Sequence, residues 1–235
     1  MAELVEASTG LLTDVIEFSA VDGPGNRFVV FTQGCNFFCP YCHNPDLVLH
    51  RQDALALADV LAFLTQRRRV LEGVVISGGE PTLHDGLFSF CAALKSLGYA
   101  VKLDTNGSRP ETLRLLLEAK LLDYVAMDVK GDPRHYPEAL GAPAGDAVAR
   151  SMGVLRQSGV AHEFRIPCAA PFIDAASFSA ILDEAGAAPL FLQPIRLENV
   201  LRPDFFAATG RPLDADEMEA LRAAAARRGA DCRIR

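Results

Sequence analysis

The sequence predicts an α/β protein whose parallel strands form an open, partial barrel of six βα units in a single domain. Three observations lead there. Short apolar, β-branched runs alternate with helical patterns, and such alternation gives a parallel sheet with right-handed crossovers. Polar motifs recur at the same end of each run, the end where barrels carry their chemistry. The chain has 235 residues, half of them apolar, which is enough for one full core. Six units fall short of the eight that close a barrel.

The strands are expected at Phe28–Thr32, Val74–Ser77, Val101–Thr105, Tyr124–Val129, Glu163–Pro167 and Leu190–Pro194. Helices are expected near Asp53–Arg68, Leu87–Leu97, Pro110–Ala119, Asp146–Ser158, Ala175–Ala185 and Asp214–Arg228. Leu55, Ala58, Leu61, Ala62 and Thr65 trace the apolar stripe of the first helix. Asp53 and Asp214 read as N-caps, and Gly98, Gly159 and Gly229 stand where C′ glycines end helices. No repeat, low-complexity segment or Pro/Gly-rich linker divides the chain.

A net charge of −7 argues against a non-specific nucleic-acid grip. The one basic run, Arg67-Arg68-Arg69, ends a helical pattern, where cations suit the macrodipole. No apolar run approaches membrane-spanning length, and no membrane partner is expected. There are six cysteines but no pattern of a small secreted scaffold and no signal peptide. Reduced thiols in the cytoplasm are the expectation.

Cys35, Cys39 and Cys42 stand in the spacing C-x3-C-x2-C on a turn-prone loop just after the first strand. Three thiolates on one loop form a soft donor set, suited to zinc or to an iron–sulfur cluster. A structural zinc site would want a fourth protein ligand, and His43 abuts Cys42 too closely to serve easily. A four-iron cluster on three thiolates keeps one iron open. The spacing favours the cluster.

C-x3-C-x-aromatic-C resembles the signature of the radical S-adenosylmethionine (SAM) enzymes. The longer run from Asp22-Gly23-Pro24-Gly25 through Tyr41-Cys42-His43-Asn44-Pro45 is similar to the activating proteins of glycyl radical enzymes. These include the activators of pyruvate formate-lyase and of anaerobic ribonucleoside-triphosphate reductase. The resemblance covers residues 14–194, the core of a single radical SAM domain spanning 1–235, and weakens over the last helix and tail, 195–235. It implies a partial (β/α)6 barrel of the TIM type. It also implies a [4Fe-4S] cluster on Cys35, Cys39 and Cys42.

The same resemblance distributes the remaining roles. Tyr41 offers an aromatic face to the adenine of SAM. Gly78, Gly79 and Glu80, in Gly78-Gly79-Glu80-Pro81, hold the methionine amino group; alone they would read as a strand-end turn whose glycines allow close backbone approach. Asp104 and Asn106, with Lys130 and Arg165, contact or support SAM, and Lys130 offsets carboxylate charge. Asp104, Thr105 and Asp128 are candidate oxygen ligands for a monovalent cation. Without the resemblance these residues would read as an Asn-Gly turn and salt-bridged strand ends. Asp22, Gly23, Pro24 and Gly25, otherwise a tight turn, would meet the partner's peptide. Gln193 or Arg196 is the ribose-contact candidate on the sixth strand.

The implied activity is reductive cleavage of SAM, with the resulting 5′-deoxyadenosyl radical taking a Cα hydrogen from a glycine of a partner enzyme. The expected partner is anaerobic ribonucleoside-triphosphate reductase, ahead of pyruvate formate-lyase. A flavodoxin or ferredoxin would be the electron donor. Two alternatives stand beside this reading: a small-molecule radical SAM enzyme of the 7-carboxy-7-deazaguanine synthase type, and a non-enzymatic Fe–S or zinc module.

Overall fold

A computed structural model of the chain describes residues 11–141, 144 and 146–235. It opens with a strand that the sequence reading did not anticipate, β1 (Leu12–Ser19), antiparallel to β2 (Arg27–Thr32). Register shifts between Leu12 and Asp14 and between Ile16 and Ser19 interrupt the pairing. Bulges of this kind destroy the two-residue alternation by which an edge strand is recognised.

The expected strands follow as β3 (Gly73–Gly78), β4 (Ala100–Thr105), β5 (Tyr124–Asp128), β6 (Ala161–Ala170) and β7 (Leu190–Pro194). Two more were not expected, β8 (Arg211–Pro212) and β9 (Cys232–Ile234). The order in the sheet is β1-β2-β3-β4-β5-β6-β7-β9, with β8 beside β6. β2, β3 and β4 pair in parallel, as do β6, β7 and β9.

Between them lie α1 (Pro45–Val48), α2 (Leu57–Arg67), α3 (Leu87–Ser96), α4 (Pro110–Glu118), α5 (Ala147–Ser158), α6 (Ala175–Ala185), α7 (Pro203–Ala208) and α8 (Ala215–Arg227). Asp214 caps α8, accepting from Glu217 N–H at 2.8 Å while the Glu217 carboxylate accepts from Asp214 N–H at 2.9 Å. Asp53 caps nothing: α2 begins at Leu57 behind Ala56, without a side-chain cap. The stripe read from the sequence is not the buried face: Leu57, Val60 and Leu64 face the core, whereas Leu55, Ala58, Ala62 and Thr65 are exposed and Leu61 is half-buried. Gly98, Gly159 and Gly229 take positive φ at helix ends, as read from the sequence.

The chain forms two compact units. One comprises the described residues up to Asn36, with Asp46–Thr105 and Glu111–Val125. Its core holds Val29, Val30, Val74, Val75, Ile76, Phe90, Leu94 and Leu103, and Phe28 packs on Phe63 with ring centroids 5.3 Å apart. Uninterrupted apolar runs in β2 and β3 are what a parallel sheet covered on both faces requires.

The other unit comprises Phe37–Pro45, Asn106–Pro110 and Ala126–Arg235. Its core holds Val148, Met152, Phe164, Ile166, Phe178, Ile181, Leu190 and Leu192. Glu163 is buried there and receives a two-pronged contact from Arg235 at 2.9 and 3.0 Å.

Candidate functional site

In the first unit, β2, β3 and β4 are parallel, so their C-terminal ends share one edge. The cysteine loop, the Gly78–Pro81 turn and Asp104-Thr105 all leave from it. The first two are joined backbone to backbone. Gly79 N–H donates to Thr32 O at 2.9 Å, and Glu80 N–H donates to Gly34 O at 2.8 Å. A Cβ on Gly79 would stand 1.8 Å from Gly34 O, and one on Gly78 would stand 2.2 Å from Thr32 N. Those glycines let two loops of the chain itself close on each other. His84 Nε2 lies 2.7 Å from Gln33 O, just before the cysteine loop.

Glu80 is wholly buried. Its Oε1 accepts from Thr82 N–H at 3.1 Å, from the Thr82 hydroxyl, and from the Thr105 hydroxyl at 2.7 Å. A buried carboxylate is tolerable when donors surround it. This arrangement binds the β3 turn to the end of β4.

Asp104 accepts from Ser77 Oγ at 3.2 Å and pairs with Lys102 Nζ at 2.9 Å. Lys102 was missed in the sequence, although a signal exists: residues i and i+2 of a strand share a face. The Lys102 stem lies against the Asp22–Gly25 turn, where a Cβ on Gly23 would be 3.5 Å from Lys102 Cδ. That turn joins β1 to the N-terminal end of β2. Asp22 accepts from Ser19 Oγ, Pro24 O accepts from Arg27 Nε, and Asn26 N–H donates to Glu72 Oε1 at 3.1 Å. Arg27 is thus turned inward, and burial lowers its pKa against the nearby Glu72 and Asp123. Its side chain is engaged with the chain's own backbone, at Pro24 O and Ala100 O.

In the second unit, Cys42 N–H donates to Cys39 O at 2.9 Å, closing a turn around Tyr41. The segment before α7 braces that turn: Leu201 and Arg202 donate their N–H groups to Cys42 O and Pro40 O at 3.0 and 3.1 Å. Tyr41 packs edge-on to Phe172, which stacks on Phe205. The Tyr41 hydroxyl is buried and finds no hydrogen-bond partner among the described residues, and burial raises its pKa far above the ordinary value. Burial also raises the Cys42 thiol, against the opposing pull of the Asn44 backbone and Lys130.

Asp128, at the end of β5, is bonded by Lys130 Nζ at 2.7 Å and by Arg165 Nε at 2.9 Å. Burial would raise its carboxyl, but the two cations hold it below its ordinary 3.8. Burial opposes the charge on Lys130, yet Asp128 and Cys39 leave its pKa raised. The Lys130 N–H donates to Tyr136 Oη at 2.8 Å. Tyr136 lies in irregular chain with no motif, and the sequence carried no signal for it. Asn106 Oδ1 accepts from Ser108 N–H at 2.9 Å, while a Cβ on Gly107 would strike Met127 Cε at 2.0 Å. These two residues thereby hold a tight turn after β4.

The donors present suit a soft cluster and an adenosyl ligand. Cys35, Cys39 and Cys42 form no disulfide, and the buried Tyr41 hydroxyl has no hydrogen-bond partner among the described residues. Each of the three residues expected to bind a monovalent cation is engaged within its own unit: Asp104 with Lys102, Thr105 with Glu80, and Asp128 with Lys130 and Arg165.

The fold is an α/β protein with parallel strands, and a loop carrying three cysteines and a Gly-Gly-Glu turn follow the first two of its parallel strands. Residues 29–168 match the model of the Radical SAM superfamily, and the chain belongs to that superfamily. Membership brings the family's cofactors, a [4Fe-4S] cluster and SAM.

The chain is 38% identical over 137 residues to the pyruvate formate-lyase-activating enzyme of Streptococcus mutans, covering 53% of this chain and 52% of the relative. It is 38% identical over 125 residues to a Methanocaldococcus jannaschii protein provisionally named a glycyl-radical enzyme activating enzyme, covering 51% and 50%. The chain thus spans about half the length of the curated relatives it matches. Among solved structures it resembles Streptococcus suis SuiB bound to S-adenosylmethionine, with a TM-score of 0.64, 16% identity, and coverage of 86% of this chain and 48% of that one. It also resembles a domain of a Bacteroides vulgatus pyruvate-formate lyase-activating enzyme, with a TM-score of 0.56, 15% identity, and coverage of 69% and 98%. These likenesses establish the fold.

Proposed function

We propose that the chain is a radical SAM activase that installs a glycyl radical on a partner enzyme, with anaerobic ribonucleoside-triphosphate reductase as the first candidate. The observation that carries this reading is the closure of Gly79-Glu80 on Gly34, which couples the turn assigned to SAM directly to the cysteine loop. A plain electron carrier has no use for that coupling. The named activities of the Streptococcus mutans and Methanocaldococcus jannaschii relatives support the choice among radical SAM reactions.

In this reading Cys35, Cys39 and Cys42 hold the cluster. Tyr41 packs against the adenine and offers its hydroxyl to the nucleoside. Glu80 and its hydroxyl donors orient the methionine amino group, and Asp104, Asn106, Lys130 and Arg165 line or support the ligand. Once bound, the cluster and SAM supply one-electron cleavage of the sulfonium bond, which starts hydrogen abstraction from the target glycine. The chain's task is near-attack placement of that glycine, and Asp22–Gly25 is the turn assigned to meet it. A cytoplasmic flavodoxin or ferredoxin is the assigned reductant.

The test is anaerobic incubation of the reconstituted protein with reductase, SAM and reductant, followed by electron paramagnetic resonance. A glycyl doublet on the reductase is expected. No doublet on that enzyme or on pyruvate formate-lyase, with consumption of 6-carboxytetrahydropterin instead, would overturn the proposal in favour of small-molecule chemistry.

A further inference from the structure

Lys102 and Asp104 form a nearly buried ion pair in the first unit. Their head groups are 2.9 Å apart, and the side chains are 8% and 13% exposed. Their positions two apart on β4 aim both from the same face. Ser77 Oγ holds the other carboxylate oxygen of Asp104 at 3.2 Å. The lysine stem is confined beside Gly23, so the ammonium has little freedom to leave.

A buried carboxylate needs a counter-charge or it neutralises. The family resemblance led us to expect a free monovalent cation here, with Asp104 and Thr105 among its ligands. An ammonium carries the same single positive charge and is tethered at fixed stoichiometry, whereas a free ion acts in proportion to its concentration. The Thr105 hydroxyl, meanwhile, donates to Glu80.

We propose that the Lys102 ammonium is the built-in monovalent cation of the Asp104 site, so that SAM binding by this chain requires no free Na⁺ or K⁺. The proposal rests on the assignment of Asp104 to SAM made above. Lys102 is on this view a positioning residue: it holds Asp104 aligned through their 2.9 Å pair, and it does not itself react. Within the second unit, Lys130 pairs with Asp128 at 2.7 Å.

The experiment measures SAM affinity of the cluster-loaded protein by anaerobic equilibrium dialysis. The buffer cation is tetramethylammonium, too bulky to enter, and the titration is repeated with K⁺ and with Na⁺. Wild-type affinity is expected to agree across the three within about twofold. Lys102→Ala is expected to weaken binding about tenfold in tetramethylammonium, the size of one charge-assisted contact. K⁺ or Na⁺ should recover most of that loss by entering the vacated space. Lys102→Met, which fills the space without charge, should stay weak in every salt.

A tenfold gain of wild-type affinity on adding K⁺ or Na⁺ overturns the proposal. So does Lys102→Ala binding SAM like the wild type in tetramethylammonium, or staying equally weak with both ions. Melting of the cluster-free protein is a second readout, should the loaded variant prove unstable. K⁺ should raise the transition of Lys102→Ala and leave the wild type unmoved; equal responses overturn the proposal. No glycyl radical enzyme enters these measurements, so an absent doublet in the activation assay and a failed cation assay are separate results.

Discussion

In the first unit, Gly79 meets Gly34 with no room for a side chain, and Glu80 is gripped by hydroxyl and amide donors. In the second, Asp128 is gripped by two cations, Lys130 and Arg165. One strand-end cluster is assembled mainly from close backbone contact and neutral donors, the other mainly from charge. The first should therefore be sensitive to added volume, and the second to an uncompensated charge. The Lys102–Asp104 pair brings charge to the strand ends of the first unit as well.

The sharpest way to break this contrast is to add one methyl group to the first unit. Gly79→Ala places a carbon 1.8 Å from Gly34 O, so the two loops must separate. A loss of about 3 kcal/mol in chemical denaturation is expected, with impaired cluster retention measured by iron and sulfide content. A variant that melts and loads like the wild type would show that the loop contact is not needed.

The charge side is tested by Lys130→Met. Removing one partner of a buried pair leaves a carboxylate behind, but Arg165 remains and Asp128 is 27% exposed. About 2 kcal/mol is expected, below the range for a fully stranded charge. The same carboxylate sets a pH dependence. Its folded pKa lies below the ordinary 3.8, so its stabilisation is present above that pH and is lost as the pH falls through the depressed value. Acid titrations of folding should show Asp128→Asn with a shallower loss of stability on the acid side of 3.8 than the wild type.

Thr105→Val removes a hydroxyl donor from buried Glu80 at nearly constant volume. A loss of about 1.5 kcal/mol is expected for removing one donor from a buried acceptor, together with weaker SAM binding in dialysis. Smaller again is Gly25→Ala, about 1 kcal/mol by denaturation, since it forces a side chain into φ +72° and against the Glu72 carboxylate. That strain makes Gly25 a poor probe of partner docking, because the fold itself resists the change. Pro24 is exposed and is the better place to add bulk. Least of all, Arg114→Ala removes pairs with Glu111 and Glu118 on the exposed face of α4 and should leave melting unchanged within error.

The linear pattern was enough to locate all six βα strands, the longer helices but not the short α1 and α7, the cysteine loop and the Gly-Gly-Glu turn, because periodicity, turn residues and ligand spacing are local properties of the chain. It also placed Asp104 and Asp128 at strand ends. Three-dimensional packing decided which group answers which. Glu80 is satisfied by Thr105 from 25 positions away, and Asp128 by Arg165 from 37 away. Tyr136 receives the Lys130 N–H from a stretch with no motif at all. β1 escaped notice because its bulges break the alternation, and β9 because three residues carry too little pattern to be read without the neighbour they pair with. The glycines of Gly78-Gly79 show the division most clearly. Their freedom from a Cβ is legible in the letters alone, but that the space serves Thr32 and Gly34 is settled only where two loops, distant in sequence, are brought to the same point by parallel strands.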